Sequence, residues 1–357
     1  MNYRLAELFE DTAMGASGTE IIDINVEQPF SQLIIQQRST GAQDAPTAHL
    51  AAVISKIEIV DGSDSLFSLA GYEADAFDFH HRKKVAFGIN TYLSAVQGIK
   101  TYVLNFGRYL WDPQLAFDPT KFKNPQIKIT YDRDAGGCLS SALELQVIAK
   151  LFDEKAVSPM GFLMHKEIKS YAIGAGTWEY TDMPTDFPWR MLLMTARADG
   201  KHPHAQFREI KLSEDVDRKV PFHFDTMNLI KWIQTNYPIY QENLYCSGGG
   251  AARTYYVTPA YAAVFAGCGE VAMNILQAAG FASGGTLSLT GSAAGNIYGQ
   301  VMGYCPHGSV VVPFGLQNEI EDWYDVSKVG NLKLHIKGHA SRTAGNLQIC
   351  LQQLRTY

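Results

Sequence analysis

Apolar and polar residues alternate along Ile54-Ser55-Lys56-Ile57-Glu58-Ile59, and again along Phe207-Arg208-Glu209-Ile210-Lys211-Leu212. Period-two alternation predicts a strand with one buried face. Ahead of each run lies a longer apolar stretch, and residues 30–41 superimpose without a gap on residues 189–200. An aromatic (Phe30, Trp189), an apolar run, an Arg (Arg38, Arg197) and a Gly (Gly41, Gly200) coincide. Further on, Leu104-Asn105-Phe106-Gly107 answers Val312-Pro313-Phe314-Gly315, each before an irregular stretch carrying a Trp (Trp111, Trp323) and an Asp. Gln126-Ile127-Lys128-Ile129-Thr130 then matches Asn331-Leu332-Lys333-Leu334-His335, and Leu143-Glu144-Leu145-Gln146-Val147 matches Leu347-Gln348-Ile349-Cys350-Leu351. Five pieces in one order predict a duplicated domain.

Each half also carries a candidate helix in its middle, near residues 72–81 and 225–235. Asp225 is the expected N-cap of the second, and Pro238 stops it. About eight strands per half, joined by loops rather than helices, predict a two-sheet sandwich of jelly-roll type. The halves differ between Tyr240 and Ser309, where the second holds a Gly/Ala/Tyr-rich insertion with strand-like pieces at residues 254–258 and 285–290. It is expected to project from one end of the second sandwich. At the start, Tyr3, Leu5, Leu8 and Phe9 predict the apolar stripe of a short amphipathic helix ending before Gly15-Ala16-Ser17-Gly18. The expected fold is therefore all-β: two tandem jelly-roll β-sandwiches with short helices and a long loop insertion in the second. Residues 1–20 form an N-terminal arm, 21–157 the first jelly roll and 158–357 the second, with the insertion at about 240–309.

Composition narrows the function. A chain of 357 residues exceeds what one core ordinarily serves. The low charged fraction, with 31 Gly, 18 Tyr and 18 Phe, suits strands and turns. A net charge of −6, with Lys and Arg dispersed outside Arg82-Lys83-Lys84, gives no footprint for specific nucleic-acid binding. The five cysteines (Cys138, Cys246, Cys268, Cys305, Cys350) are odd in number and lack a C-x-x-C, so neither a disulfide framework nor a zinc site is expected. This composition fits synthesis in a reducing cytoplasm. Charges at Arg4, Glu7, Glu10 and Asp11 rule against a signal peptide there, and no apolar run has the length of a membrane-spanning helix.

Candidate chemistry is sparse. The run from Ala263 to Ala272 contains G-x-G-x-x-A (Gly267, Gly269, Ala272), but no acidic residue follows about 20 positions on and no βαβ unit surrounds it, so no cofactor is expected. His202-Pro203-His204 with Glu209 has the H-x-H-x4-E spacing of metal-binding cupins. Pro203 and the intervening loop favour scattered solvated histidines over a metal site. His80-His81 beside Arg82-Lys83-Lys84 reads as a solvated helix end, with anion or subunit binding as the alternative. Ser247-Gly248-Gly249-Gly250 lacks the Gly-Lys-Ser/Thr of a phosphate loop, and no Ser stands in G-x-S-x-G. No catalytic, cofactor-binding or metal residue is assigned, and the chain is not expected to be an enzyme.

The repeated strand order and the asymmetric insertion resemble the double jelly-roll major capsid proteins of tailless icosahedral viruses, especially phages with an internal membrane. The resemblance runs from about Ile21 to Tyr357 and rests on no short motif. It implies a homotrimer of pseudo-hexagonal outline that tiles an icosahedral shell beside neighbouring capsomers and minor capsid or penton proteins. It also implies a virion location after assembly in the host cytoplasm, an outward tower from residues 240–309, and an inward-facing arm that touches an internal lipid membrane or a neighbouring capsomer. Aromatic residues in the insertion and around it, Tyr255, Tyr256, Tyr261, Phe265 and Tyr304, suit wide subunit interfaces. The competing readings are a two-domain jelly-roll carbohydrate-binding protein or glycan-processing enzyme and, on the Gly267 region alone, a nucleotide-dependent oxidoreductase.

Overall fold

Strands with one face inside and one outside must pair into sheets and then stack. In the computed structural model this chain does so twice in the same order. Residues 1–42, 46–198, 201–247, 253–257, 259–269, 277–279, 286–290, 296–342 and 345–357 are described. The first half supplies β1 (Tyr3–Met14), β2 (Ser17–Asp23), β3 (Phe30–Gly41), β4 (Ile54–Asp61), β5 (Asp64–Leu69), β6 (Gly88–Tyr92), β7 (Gln97–Asn105), β8 (Pro125–Asp132) and β9 (Ser140–Phe152). One sheet runs β1-β9-β3-β7 with β6 beyond it, and the facing sheet runs β2-β8-β4-β5.

The second half begins with β10 (Gly161–Ala172), β11 (Trp178–Asp182), β12 (Trp189–Ala196), β13 (Phe207–Glu214) and β14 (Lys219–Asp225). An excursion follows, built from β15 (Tyr240–Ser247), β16 (Arg253–Tyr256), β17 (Pro259–Gly269), β18 (Gln277–Ala279), β19 (Thr286–Thr290) and β20 (Asn296–Pro306). The half closes with β21 (Ser309–Pro313), β22 (Leu332–Gly338) and β23 (Asn346–Thr356). Its sheets run β10-β23-β12-β21 and β11-β22-β13-β14, the jelly-roll order of the first half over again. The five repeated sequence pieces fall on the equivalent pairs β3/β12, β4/β13, β7/β21, β8/β22 and β9/β23. Alternation held wherever a strand has one wet face: Ile127, Ile129 and Tyr131 of β8 and Leu332, Leu334 and Ile336 of β22 all point inward.

Both fifth strands lead into a helix, α1 (Gly71–Arg82) and α2 (Thr226–Asn236). Asp225 caps α2 by accepting from the Met227 N–H at 2.9 Å, and Tyr237 leaves the helix in an extended conformation, as the residue before Pro238 prefers. A short parallel contact, His165 to Phe67 and Lys166 to Ser68, joins β10 to β5. The two sandwiches therefore point the same way. At one end, termed the base, Tyr3 stacks on Trp111 with ring centroids 4.2 Å apart, and the Tyr357 hydroxyl bridges the Asp118 N–H and the Ala116 carbonyl. The helices and the excursion leave the fifth strands at the other end.

Two expectations are corrected. Residues 3–14 form no helical arm: they are β1, paired with β9 from Tyr3–Phe152 to Met14–Leu143. Two register shifts, between Glu7 and Phe9 and between Phe9 and Thr12, break the period of two, so Ala6, Leu8, Phe9 and Met14 all reach the core without strict alternation. The excursion does not simply project from the second sandwich. β15 pairs in parallel with β6, Leu244 opposite Asn90 and Cys246 opposite Tyr92, so that β15-β20-β17 extends the first sandwich's sheet. Of the strand-like pieces expected there, β16 pairs with β19, while Thr258 and Gly285 lie outside the described residues.

Candidate functional site at the seam between the sandwiches

α1 lies in the seam, and its position is set by Gly71. A Cβ there would stand 2.9 Å from the Ala51 carbonyl oxygen and 3.0 Å from that of Ile54, so any larger residue would push the helix outward. What the helix buries is unusual: besides Ala74, Ala76, Phe77 and Phe79, it buries Glu73, Asp75, Asp78 and His80. Buried polar groups need partners, and most of these have them.

Asp75 Oδ2 accepts from Lys100 Nζ at 2.6 Å, from the Tyr240 hydroxyl at 2.8 Å and from His307 Nε2 at 2.8 Å. Burial pushes this carboxyl up, but Lys100 and His307 outweigh burial and hold it well below the ordinary carboxylate range. Asp75 sits on α1 and its partners come from β7, the excursion and the turn before β21, so one carboxylate ties both sandwiches to the insertion. Nearby, the Ala51 N–H donates to His49 Nδ1 at 3.0 Å, leaving Nε2 to bond Glu242 of β15. Glu73 is different. Its two oxygens have no hydrogen bond among the described residues, and burial raises its carboxyl to about 7.

The second cluster lies toward the base. Asp78 takes the Arg82 guanidinium and the Asn105 amide (2.8 Å), and Asn105 in turn accepts from Gln32 at 2.6 Å. Arg190 of β12 donates to Gln352 Oε1 at 2.7 Å and to His81 Nδ1 at 3.0 Å, while His81 Nε2 meets the Arg108 carbonyl at 3.0 Å. The helix end read as solvated is thus largely interior. His80 is 1% exposed, and only Lys83 and Lys84 face solvent. No spacing in the sequence signals this, because the groups that cover α1 come from distant strands of both halves of the chain.

The remaining candidates separate. His202 and His204 stack on each other at 5.6 Å, whereas Glu209, on β13, engages Lys337 at 3.1 Å and His223 at 3.4 Å. Among the described residues no group of three His, Cys, Asp or Glu side chains is arranged to hold a metal. Gly267 and Gly269 lie on β17, paired with β20, rather than at a helix start, and Ala272 is outside the described residues, as are residues 248–250. Tyr255 is fully buried and Tyr256 and Tyr304 are half-buried. The side chains of Tyr261 and Phe265 lie outside the described ones. What the seam does chemically is lock: Asp75, His49, His81 and His307 are closed in and engaged with elements on both sides, while Glu73 and His80 are closed in without a hydrogen bond among the described residues.

No family model matches the chain, and no curated protein sequence does. Solved structures do. The major capsid protein of STIV, Sulfolobus turreted icosahedral virus, superimposes with a TM-score of 0.61 at 11% identity, covering 99% of this chain and 98% of that one. The major capsid protein P2 from bacteriophage PM2 gives 0.55 at 9% identity, covering 99% and 98%, and a chain of the PBCV-1 virus capsid gives 0.57 at 10%, covering 99% and 94%. The likeness spans both sandwiches, and the fold is the double jelly roll.

Proposed function

We propose that this chain is a major capsid protein that assembles as pseudo-hexagonal homotrimers into an icosahedral viral shell, a structural rather than a catalytic role. The observation that carries it is the double jelly roll itself, matched over nearly the whole chain, with two sandwiches that point the same way side by side. Three such chains offer six like sandwiches around one axis, and closed cyclic symmetry is the ordinary way to use such a unit. On this reading the units divide near residue 157, the excursion builds the tower, and the protein resides in the virion after assembly in the host cytoplasm. Neighbouring capsomers and minor or penton proteins are its partners. Contact with an internal membrane, where one is present, would fall to the base loops, since residues 3–14 are a strand. No observation favours the glycan-binding alternative.

Light scattering on the purified native protein tests this. A mass of three chains, or shells that dissociate to three-chain units, is expected. A stable monomer across micromolar concentrations would count decisively against it.

A further inference from the structure

A cleft of about 930 Å³ opens in the seam toward the base, between the loops that follow β7 and β21 and the last turn of α1. Arg82, Lys83, Lys84, Arg108, Lys150 and Arg190 line it, and among the described residues no Asp or Glu does. Two of these cations are answered locally, Arg82 by Asp78 and Arg108 by Asp112. The other four have no carboxylate at ion-pair distance among the described residues. The C-terminal end of α1 contributes a partial negative charge of about half a unit, which offsets only a fraction of this excess.

Arg190 is the informative member. It is 1% exposed; its Nε donates to the Gln317 carbonyl at 3.0 Å, and Nη1 reaches Gln352 and His81. Its Nη2 donates to nothing among the described residues. Burial works against this charge, pulling the guanidinium down to about 9. His80 also borders the cleft, but both its ring nitrogens are closed off from it and the ring packs edge-on against Phe79 and Tyr237. A buried cation with no carboxylate at ion-pair distance costs folding free energy, and water in the cleft can supply hydrogen bonds but no charge. A tetrahedral oxyanion supplies both, and a guanidinium with a free N–H edge suits it.

We propose that this cleft binds a phosphoryl oxyanion, either inorganic phosphate or a phosphate borne on a lipid head group, held by Arg190 within the field of Lys83, Lys84 and Lys150. The inference goes beyond the capsid reading and is tested on unassembled protein, so the two stand or fall separately.

The full chain is titrated with inorganic phosphate at constant ionic strength, with chloride as the control anion, by calorimetry and by thermal shift. Saturable binding of one phosphate per chain and a rise in melting temperature are expected. Arg190→Gln weakens binding at least about tenfold. Should that variant fail to fold, Lys84→Glu combined with Lys150→Gln, at a solvent-facing and a cleft-lining position, lowers affinity several-fold. Phosphatidic acid vesicles in phosphatidylcholine distinguish the sources. Co-sedimentation that free phosphate competes away assigns the lipid-borne group, and phosphate binding without co-sedimentation assigns the free ion. No saturable effect of phosphate beyond chloride, or equal affinity in wild type and every folded variant, overturns the proposal.

Discussion

Asp75 and Glu73 stand two residues apart on one buried helix and carry opposite consequences for stability. Asp75→Ala leaves Lys100, itself 4% exposed, buried without its carboxylate, and breaking such a pair costs about 3–5 kcal/mol. Combining Asp75→Ala with Lys100→Met removes the stranded charge, so chemical denaturation is expected to show the double variant more stable than Asp75→Ala alone. Glu73 has no ion pair to lose. Its carboxyl is raised to about 7 by burial, above its ordinary value near 4.5, so the neutral acid is the form that fits the fold. The stability associated with that neutral form is complete below the ordinary value and is lost as pH climbs through about 7. Glu73→Gln mimics the neutral acid. It is expected to raise the melting temperature at pH 8, by an amount corresponding to about 1–3 kcal/mol, and to change little at pH 5. Equal effects at both pH values would mean that Glu73 does not titrate in this range.

Among the elements, β1 changes most between what its residues suggest and what they do. It covers the edge of β9 over 12 residues, and Phe9 and Met14 pack on the core. Removing residues 1–14 is therefore expected to expose β9 as a long apolar edge, with loss of soluble protein and a lower melting temperature rather than a merely weaker assembly. Wild-type stability with impaired assembly would restore the idea of a separate arm. The same element shows what a sequence transmits. β4, β8, β13 and β22 were legible because their bulges fall toward the strand ends, so that a regular central ladder maps period two onto burial. β1 was not, because two bulges reset its facing and left no period of two to read. α1 was legible as a helix but not as an interior one. Charged residues at helical spacing read as a wet face, and only the partners supplied by residues 190, 240, 307 and 352 make that face dry. The cationic cleft was half legible: Arg82-Lys83-Lys84 stood out, while Arg108 and Lys150 reach it through the folding of the first sandwich and Arg190 from β12 of the second.

On the scale of the whole molecule, the question is whether two sandwiches behave as one cooperative body. A single cluster of buried apolar residues runs from Ile22 and Phe30 in the first half to Trp189, Ile210 and Leu351 in the second, with Phe162 of β10 packed against Phe106 and Phe117. Around it, β10 bonds to β5, β15 bonds to β6, Arg355 pairs with Asp64, and α1 fills the space between. Interfaces between independently moving domains are smaller and more polar than this. Calorimetry of the full chain, at fixed protein concentration because self-association would itself raise the midpoint, is expected to show one transition. Its van't Hoff enthalpy would be about 250 kcal/mol near 60 °C, the value for a chain of this length melting as a unit. Two sandwiches melting separately would give two steps of roughly half that enthalpy each, and Asp75→Ala is the substitution most able to pull them apart. If wild type already melts in two steps, the seam is a contact between domains rather than a shared core, and the geometry of the tile would have to be fixed by neighbouring chains instead of by the fold.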